Sequence, residues 1–382
     1  MPFYNKINAV GPEGKRTLKN LLVLRDALAK EIPEKHLDSN LLLATWNIRE
    51  FGESKYGGRS VEALYYIAEI INRFDIIAVQ EVRKDLKAFT DLMALLGSYY
   101  EYIFTDVTEG KAGNQERLCF VFDTRKVRFG GLSGELVLPP LEEKDPVTGQ
   151  KIVKPSKQLA RTPYMCGFKA GWTNFVLTTV HILYGTAEAE DPNRLKEIEN
   201  LASSIVAKAD KEYEWSKNFI LLGDFNIFSK KDSTLSAITK AGFTIPKAIQ
   251  ELSGSNVQHN KFYDQIAFKV RPNNFETTGK AGIFDYYKYV YRLEDEAEYA
   301  KEMGDAYNVT DDGEPRKNKT VYYKTYWRTF KMSDHLPMWV EISIDHTNAY
   351  LSYMLKPKQQ EEDQASNAPA VKATDKTKKI GG

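Results

Sequence analysis

Polar residues that could do chemistry stand at the borders of hydrophobic, strand-like runs in this 382-residue chain. The runs are rich in Leu, Ile, Val, Phe and Thr, as buried strands are, and a sheet can aim the side chains at its strand ends into one cleft. Together these residues predict one metal-dependent phosphodiesterase site. The five groups are Asn47 after LLLATW, Glu81 after DIIAVQ, His181 after FVLTTV, Asp224 and Asn226 after NFILLG, and Asp334-His335 before LPMWVEI.

Glu81 and Asn47 are the candidate metal ligands. A phosphodiester is an anion that resists attack by hydroxide, so its hydrolysis calls for a cation on the phosphoryl oxygens, a base for water and an acid for the leaving oxygen. Carboxylate and amide oxygens suit Mg²⁺, which takes only one or two protein carboxylates. We therefore predict a Mg²⁺ site here, with Mn²⁺ as a substitute. Taken alone, such a glutamate is more often a solvated or capping residue, and such an asparagine is a turn residue.

The GDFN segment at 223–226 is more specific. Gly223 permits close backbone approach, and Asp224 and Asn226 point to the same side of an extended segment because they are two residues apart. One could bind the metal or orient water while the other holds the phosphate. The alternative is an Asx turn after a strand.

Two histidines have candidate carboxylate partners. Asp264 would fix the ring of His335 and raise its basicity, as a general base requires. Glu116 could do the same for His181, which alone would be a structural histidine. Two such pairs suit one general base and one general acid on opposite sides of an in-line displacement, and Arg161 would supply a fork-shaped phosphate contact.

Strand-like and helical segments alternate along the chain. Leucine spacing predicts a helix over 14–31, apolar spacing predicts a second helix over 61–71, and Asp191-Pro192 is the start signal of a third. Residues 139–160 are predicted to be a long loop or hairpin that turns between Asp145 and Gly149. The acidic segment 291–314 is predicted to be a surface insertion.

Composition limits the class of protein. Hydrophobic residues make up 42% and aromatic residues 12% of the chain, which are globular values, and no apolar run approaches the length of about 20 residues that a membrane helix needs. The N-terminus has no apolar segment of signal-peptide type and the chain has two cysteines, so we expect a cytoplasmic, reduced protein without a membrane partner. A net charge of +1 neither supports nor excludes nucleic acid.

These residues carry a resemblance to the endonuclease/exonuclease/phosphatase superfamily, and within it to the deoxyribonuclease I branch. The resemblance implies an α/β fold, a four-layer α/β sandwich of two packed mixed sheets flanked by helices, with the site at one edge. It covers about residues 41–345. The matching segments are NIREFGESK at 47–55, FDIIAVQEVR at 74–83, QERLCFVF at 115–122, the RTP around Arg161, VHIL at 180–183, LLGDFN at 221–226, YDQI at 263–266 and SDHLP at 333–337.

The resemblance also implies roles and a partner. Double-stranded DNA is the expected substrate, and a monomer is the expected state. Arg49 and Arg83 match positions that contact the DNA backbone and minor groove, and Asn226 joins Arg161 at the scissile phosphate. The other implied roles are metal binding for Asn47 and Glu81, acid/base pairing for Glu116 with His181 and for Asp264 with His335, and metal binding or water orientation for Asp224 and Asp334.

Departures from the branch affect binding and domain layout. The tyrosine of the branch that stands two residues before the His-pairing glutamate is Asn114 here, and the disulfides of the secreted members cannot form in their usual pattern. The segments 139–160 and 271–331 are additions. We expect an N-terminal helical extension over 1–40, a catalytic domain over 41–345, and a C-terminal segment over 346–382 that is mostly disordered because it has few large apolar residues.

The added segment PRKNKTVYYKTYWRTFK at 315–331 is a candidate DNA contact. It carries six basic residues and no acidic one, interleaved with aromatic residues. The alternative is an ordinary strand whose aromatic residues face the core. The predicted backbone contacts are Arg316, Lys317, Lys319 and Lys324, helped by Lys151, Lys154 and Lys157.

We therefore predict a metal-dependent DNA endonuclease that uses a two-histidine acid/base pair. The alternatives are a phosphoesterase of the same superfamily acting on inositol phosphates or phospholipids, and a non-catalytic binding homologue. GDFNIF and Tyr263-Asp264-Gln265-Ile266 differ from the inositol phosphatase segments. A homologue without activity would have lost a carboxylate or histidine, and none is lost.

Overall fold

A computed structural model describes residues 2–110, 113–211, 215–271 and 275–355. The chain up to Asp345 forms one compact unit, and His346 begins a second unit. The predicted disordered tail from Lys356 onward lies outside the described residues. Among the described residues, no helix is both long and apolar enough to cross a membrane.

The five hydrophobic runs that border the candidate site residues all form strands, as predicted. In chain order they are β1 (Asn40–Phe51), β2 (Ile76–Arg83), β3 (Tyr100–Phe104), β4 (Glu116–Asp123), β5 (Arg128–Glu135), β6 (Leu141–Lys144), β7 (Lys151–Lys154), β8 (Tyr164–Ala170), β9 (Thr173–His181), β10 (Phe219–Asp224), β11 (Asp264–Lys269), β12 (Glu276–Ile283) and β13 (Met338–Ser343).

Helices separate many of these strands, and the three helices expected from the sequence are all present. In chain order the helices are α1 (Pro12–Glu31), α2 (Val61–Asn72), α3 (Lys87–Leu96), α4 (Pro192–Ala209), α5 (Ser233–Lys240), α6 (Lys247–Gln250), α7 (Glu296–Met303), α8 (Lys319–Val321), α9 (Arg328–Lys331) and α10 (Thr347–Leu355). The α4 helix starts as predicted, because the Asp191 carboxylate accepts hydrogen bonds from the backbone N–H groups of Asn193 and Arg194.

Two large sheets form the centre of the first unit. Within the described residues, one has six strands in the order β12-β13-β1-β2-β4-β3, and the other has five in the order β11-β10-β9-β8-β5. Both are mixed, because β1 with β2 and β9 with β10 are parallel pairs whereas the remaining pairs are antiparallel. The predicted architecture of two mixed sheets flanked by helices is therefore confirmed.

Strand alternation places the core on both faces of the first sheet. Leu41 and Leu43 of β1 belong to a cluster shared with the buried strands of the second sheet. Leu42, Ala44 and Trp46 point the other way, into a cluster shared with α1 and α2. Side chains of a strand alternate between its two faces, so this one hydrophobic run serves both layers. The sheet that carries Asn47 is fixed from both sides.

The two added segments have regular structure. The 139–160 segment contains the β6–β7 hairpin, which turns between Asp145 and Gly149 as predicted. In the 271–331 segment, β12 extends the six-stranded sheet by pairing with β13. The residues from Lys319 to Lys331 are helical, with a π-helical stretch at Tyr322–Trp327 between α8 and α9. The alternative interpretation of this region as a strand is therefore wrong.

Candidate active site

Strand register brings the polar strand ends together. In the second sheet, Asp224 lies opposite both His181 of β9 and Asp264 of β11. In the first sheet, Asn47 of β1 lies opposite Gln80, the residue before Glu81. Because the parallel strands of each pair end at the same edge, the predicted residues meet in one buried cleft.

Asn47 joins the two sheets at this edge. Its Nδ2 donates to Glu81 Oε1 at 3.0 Å and to Asp224 Oδ2 at 2.9 Å, while its buried Oδ1 has no hydrogen-bond partner among the described residues. Glu81 has a left-handed backbone with φ of 63°, and its second oxygen accepts from the backbone N–H of Glu50 at 2.7 Å. The buried amide oxygen of Asn47 is therefore an acceptor that a ligand could use.

The first histidine pair is Glu116 with His181. The Glu116 carboxylate lies 2.6 Å from Nδ1 of His181 and also contacts Nε of Arg161, whose Nη1 donates to the His181 carbonyl at 3.4 Å. Burial raises the pKa of Glu116 to about 7, against the opposing effect of Arg161. Burial, together with Arg161, lowers the pKa of His181 to about 4.

The second pair is Asp264 with His335. The Asp264 carboxylate lies 2.9 Å from Nδ1 of His335, and the ring of Tyr263 stacks on the imidazole at 5.3 Å. Burial lowers the pKa of His335, but Asp264 and Asp224 outweigh it, so that this pKa rises to about 10. Nε1 of Trp46 donates to the His335 carbonyl at 2.9 Å and fixes its backbone.

Asp224 faces both imidazoles. Its Oδ2 lies 3.6 Å from Nε2 of His181 and 3.6 Å from Nε2 of His335. Its Oδ1 accepts from the backbone N–H of Asn226 at 2.9 Å, so the Asx turn considered for GDFN is also present. The Asn226 side chain donates to the carbonyl of Ile182 at 2.8 Å, which fixes it beside His181. The two histidine–carboxylate pairs therefore open toward one shared carboxylate.

Asp334 and Arg49 lie at the exposed side of the cleft. The Asp334 side chain is 45% exposed and lies 3.5 Å from Nη1 of Arg49. Arg49 also donates to Thr329 Oγ1 at 2.6 Å, and its guanidinium lies 4.1 Å from the centre of the Phe330 ring. The added helical segment therefore determines where this arginine points.

The other residues predicted to contact DNA differ in solvent exposure and in the partners they already have. Arg83 is buried, donates to the carbonyl of Asn114 and lies 3.8 Å from Glu50 and from Glu53. Lys317 and Lys324 are exposed.

Several further cations predicted to bind DNA already have partners within the chain. Arg316 donates to the carbonyls of Ala306 and Val309, and Lys319 donates to Asn308. On the hairpin, Lys151 and Lys154 form ion pairs with Glu142 and Glu143 at 2.7 Å, while Lys157 is exposed. These bonds would have to open before the paired side chains could grip a phosphate.

The donor set fits a hard cation. Glu81, Glu116 and His181 each offer a ligand atom within 4.8 Å of the others, and the unpartnered amide of Asn47 adjoins Glu81. Both cysteines are buried in the hydrophobic clusters and offer no thiolate. Oxygen-rich sets of this kind suit Mg²⁺ or Mn²⁺. The grouping differs from the predicted one, because Glu116 joins Glu81 whereas Asp334 pairs with Arg49.

Sequence reasoning missed Glu197. This α4 carboxylate accepts from the backbone N–H of Ala160, next to Arg161, and from that of Leu183 at 2.7 Å. It thereby ties the arginine segment to the end of β9, where His181 stands. Its position one turn into a predicted helix was the available signal, but helical spacing does not tell which loops a helix faces.

Comparison with known proteins relates this chain to nucleases. No protein-family model matches the chain. It is 33% identical to deoxyribonuclease-1 of Bos taurus over 119 residues, which are 30% of this chain and 39% of that protein. It is 27% identical to deoxyribonuclease-1 of Equus caballus over 196 residues, 49% of this chain and 61% of that protein. A solved endonuclease/exonuclease/phosphatase structure from Bacteroides vulgatus is 16% identical, with a TM-score of 0.48 over 80% of this chain and 99% of that one.

Fold and site together define the class. Two packed mixed sheets between helices, with paired histidines and carboxylates at one edge, form the four-layer sandwich that the sequence resemblance implies. The matches to deoxyribonuclease-1 confirm the resemblance to the deoxyribonuclease I branch of the endonuclease/exonuclease/phosphatase superfamily. It spans less than two thirds of the length of the curated relatives it matches.

Proposed function

We propose that this chain is a metal-dependent endonuclease that hydrolyses phosphodiester bonds of double-stranded DNA. The observation that carries the proposal is the position of Asp224, 3.6 Å from Nε2 of His181 and from Nε2 of His335. Nδ1 of His335 is hydrogen-bonded to Asp264 and Nδ1 of His181 lies 2.6 Å from Glu116, while Nε2 of each ring lies 3.6 Å from Asp224, so both present Nε2 to the same space. Two oriented imidazoles that face one space suit a reaction that removes one proton and delivers another.

In the proposed reaction, a water oxygen attacks phosphorus while the bond from phosphorus to the leaving oxygen breaks on the opposite side. One imidazole accepts the proton of the water and the other donates a proton to the leaving oxygen. Arg161 and Asn226 hold the non-bridging oxygens, and Asp224 orients the attacking water between the two rings.

Mg²⁺, or Mn²⁺ in its place, would be held by Glu81 and Asn47 with Asp334 or Glu116 nearby, and would supply positive charge to the phosphoryl oxygens. The unpartnered Oδ1 of Asn47 supports this assignment.

Supercoiled plasmid is the direct substrate to test. We expect purified protein to nick it with Mg²⁺ or Mn²⁺ and to stop when excess EDTA is added, because the phosphoryl charge is then no longer neutralised. A His335→Ala sample prepared in parallel controls for contaminating nuclease. Full activity in EDTA would overturn the metal assignment, and hydrolysis of an inositol phosphate or phospholipid with no nicking would overturn the substrate.

DNA binding is proposed to involve Arg49 and Arg83 near the cleft and the basic residues of the added helical segment. Each phosphate contact releases counterions, so replacing Arg316, Lys317, Lys319 and Lys324 with alanine should flatten the salt dependence of binding by up to about 0.9 log unit per lost contact.

The exposed pair Lys317 and Lys324 should account for most of that effect, because the other two cations are bonded to the 306–309 loop. Binding is measured on a His335→Ala background, and a Lys15→Ala/Lys19→Ala variant of α1 matches the change of charge in a Lys317→Ala/Lys324→Ala variant. A salt slope that is unchanged in the quadruple variant would return this segment to a structural role.

A further inference from the structure

An aromatic ledge extends outward from the His335 side of the cleft. We use this name for Tyr184, Phe228 and Tyr263. The Tyr263 ring stacks on the His335 imidazole at 5.3 Å, Phe228 packs edge-on against Tyr263 at 5.7 Å, and Tyr184 contacts Phe228 at 5.7 Å. The outermost ring, Tyr184, is 43% exposed, whereas Phe228 is 6% exposed. The ledge therefore ends in a ring open to solvent and supported from beneath.

The loop that carries Tyr184 is held by a buried arginine. Arg194 of α4 is fully buried and donates to the carbonyl of Tyr184 at 2.5 Å and to that of Ala189 at 2.7 Å. Its guanidinium also lies 4.6 Å from the centre of the Phe228 ring. One side chain thus fixes both the backbone of the exposed tyrosine and the ring on which the tyrosine rests. An exposed aromatic ring held in this way loses little conformational entropy when it binds a flat partner.

Positive charge lies beside the ledge. Nζ of Lys261 lies 3.9 Å from the centre of the Phe228 ring, and Nζ of Lys230 lies 5.0 Å from that of Phe262, the residue before Tyr263. An exposed aromatic ring with lysines along the rings that support it matches the chemistry of a nucleotide whose base stacks while its phosphates meet cations.

We propose that Tyr184 is a stacking platform for an unpaired nucleobase adjoining the scissile phosphate, with Lys230 and Lys261 on the flanking phosphates. This inference rests on the proposed function and names the form of DNA that the same site prefers. In a perfect duplex both faces of each base are covered by its neighbours, so the base cannot stack on a protein ring without leaving the helix. The preferred substrate is therefore duplex DNA with an unpaired nucleotide at the cleavage site, such as a bulge or a breathing base pair, and a single strand is the simplest probe of that contact.

The test measures binding of the full-length protein on a His181→Ala background, because His181 does not belong to the ledge. Fluorescence anisotropy compares a labelled 12-nucleotide single strand with a fully paired hairpin duplex. Tyr184→Ala should weaken binding of the single strand by about tenfold or more, since one stacked base contributes about 1–3 kcal/mol, and should change duplex binding less than about twofold. Tyr184→Phe keeps the ring and should bind like the parent, and Tyr99→Ala removes a comparably exposed tyrosine of another surface as a control.

A 2-aminopurine base placed at successive positions of the single strand reports stacking directly, through quenching that Tyr184→Ala should abolish. Unchanged single-strand affinity in Tyr184→Ala, equal losses for both DNA forms, or no binding of the single strand by the parent would each overturn the proposal. Plasmid nicking by the protein with His181 intact is scored separately. If Tyr184→Ala weakens single-strand binding but the protein does not nick plasmid, only the proposed cleavage activity is contradicted. If the protein nicks plasmid but Tyr184→Ala leaves single-strand binding unchanged, only the proposed stacking role of Tyr184 is contradicted.

Discussion

The two histidine–carboxylate pairs share Asp224 but have different surroundings. Glu116 and His181 adjoin Arg161, whose positive charge and the burial of the site hold the pKa of the imidazole low. His335 adjoins the ring of Tyr263, and the negative charges of Asp264 and Asp224 outweigh burial and hold the pKa of that imidazole high. The pKa values of the two imidazoles are thus shifted in opposite directions by their neighbours. Divergent pKa values within one site are typical of groups that divide acid and base roles.

The largest expected effect is the loss of either imidazole. His181→Ala and His335→Ala should each lower the rate of plasmid nicking by about 10²- to 10⁴-fold, since a positioned acid or base contributes that much. Thermal unfolding and circular dichroism should remain close to those of the parent. A near-parental rate in one variant with the fold intact would show that only one pair takes part, and the two-histidine mechanism would then be wrong.

A smaller effect is expected when either carboxylate partner of the histidines is replaced by its amide. Asp264→Asn and Glu116→Gln keep the shape of each partner but remove its charge, so each should lower the rate by about 10- to 100-fold, as loss of an orienting partner does. Asp264→Asn should also lower the pKa of His335 from about 10, because Asp264 is the main group that raises it.

The pKa is measured by NMR titration of the imidazole in chelator. If the pKa of His335 were unchanged in Asp264→Asn, groups other than Asp264 would set the difference in pKa between the two imidazoles. Glu116→Gln serves as the matched comparison, since it removes one carboxylate from the other pair.

The smallest expected effect is on stability, and its sign differs between the pairs. His181 has a folded pKa of about 4, below its ordinary value of 6.5, so the unfolded chain binds the proton first and acidification through this interval destabilises the fold. His335 has a folded pKa of about 10, so its contribution is fully present below 6.5 and is lost as the pH rises through 10.

Melting temperatures of His181→Gln and His335→Gln, each referred to the parent in chelator, should reveal this opposition. The first variant should gain relative to the parent on acidification from 6.5 to 4, and the second should gain on alkalinisation toward 10, by on the order of a few degrees. If the melting temperatures of both variants changed in the same direction with pH relative to the parent, the opposite pKa shifts of His181 and His335 would be contradicted.

Much of the site could be predicted because its residues lie at the borders of buried strands. The runs before Asn47, Glu81, His181 and Asp224 are hydrophobic enough to be recognised as strands, and parallel neighbours end at one edge. Glu197 could not be predicted in its place, because its contacts depend on where α4 packs and not on the helical pattern itself.

The added helical segment shows how an ambiguous period misleads. Tyr323, Trp327 and Phe330 are buried, and their intervals of four and three residues are those of a helix. The alternative strand interpretation gave weight to aromatic content, which favours strands only weakly. The pairing of Arg49 with Asp334 depends on this helix, so it could not be predicted from the spacing of apolar residues either.

The backbone at two site residues limits how durable this protein can become. Glu81 and Asn226 hold left-handed φ angles of 63° and 52°, a conformation that costs an ordinary L-residue about 1–2 kcal/mol and costs glycine almost nothing. Glycine at either position would relieve this backbone strain, but it would also remove a side chain that the proposed reaction uses. Selection for heat resistance and selection for the proposed activity would therefore favour different residues at these two positions.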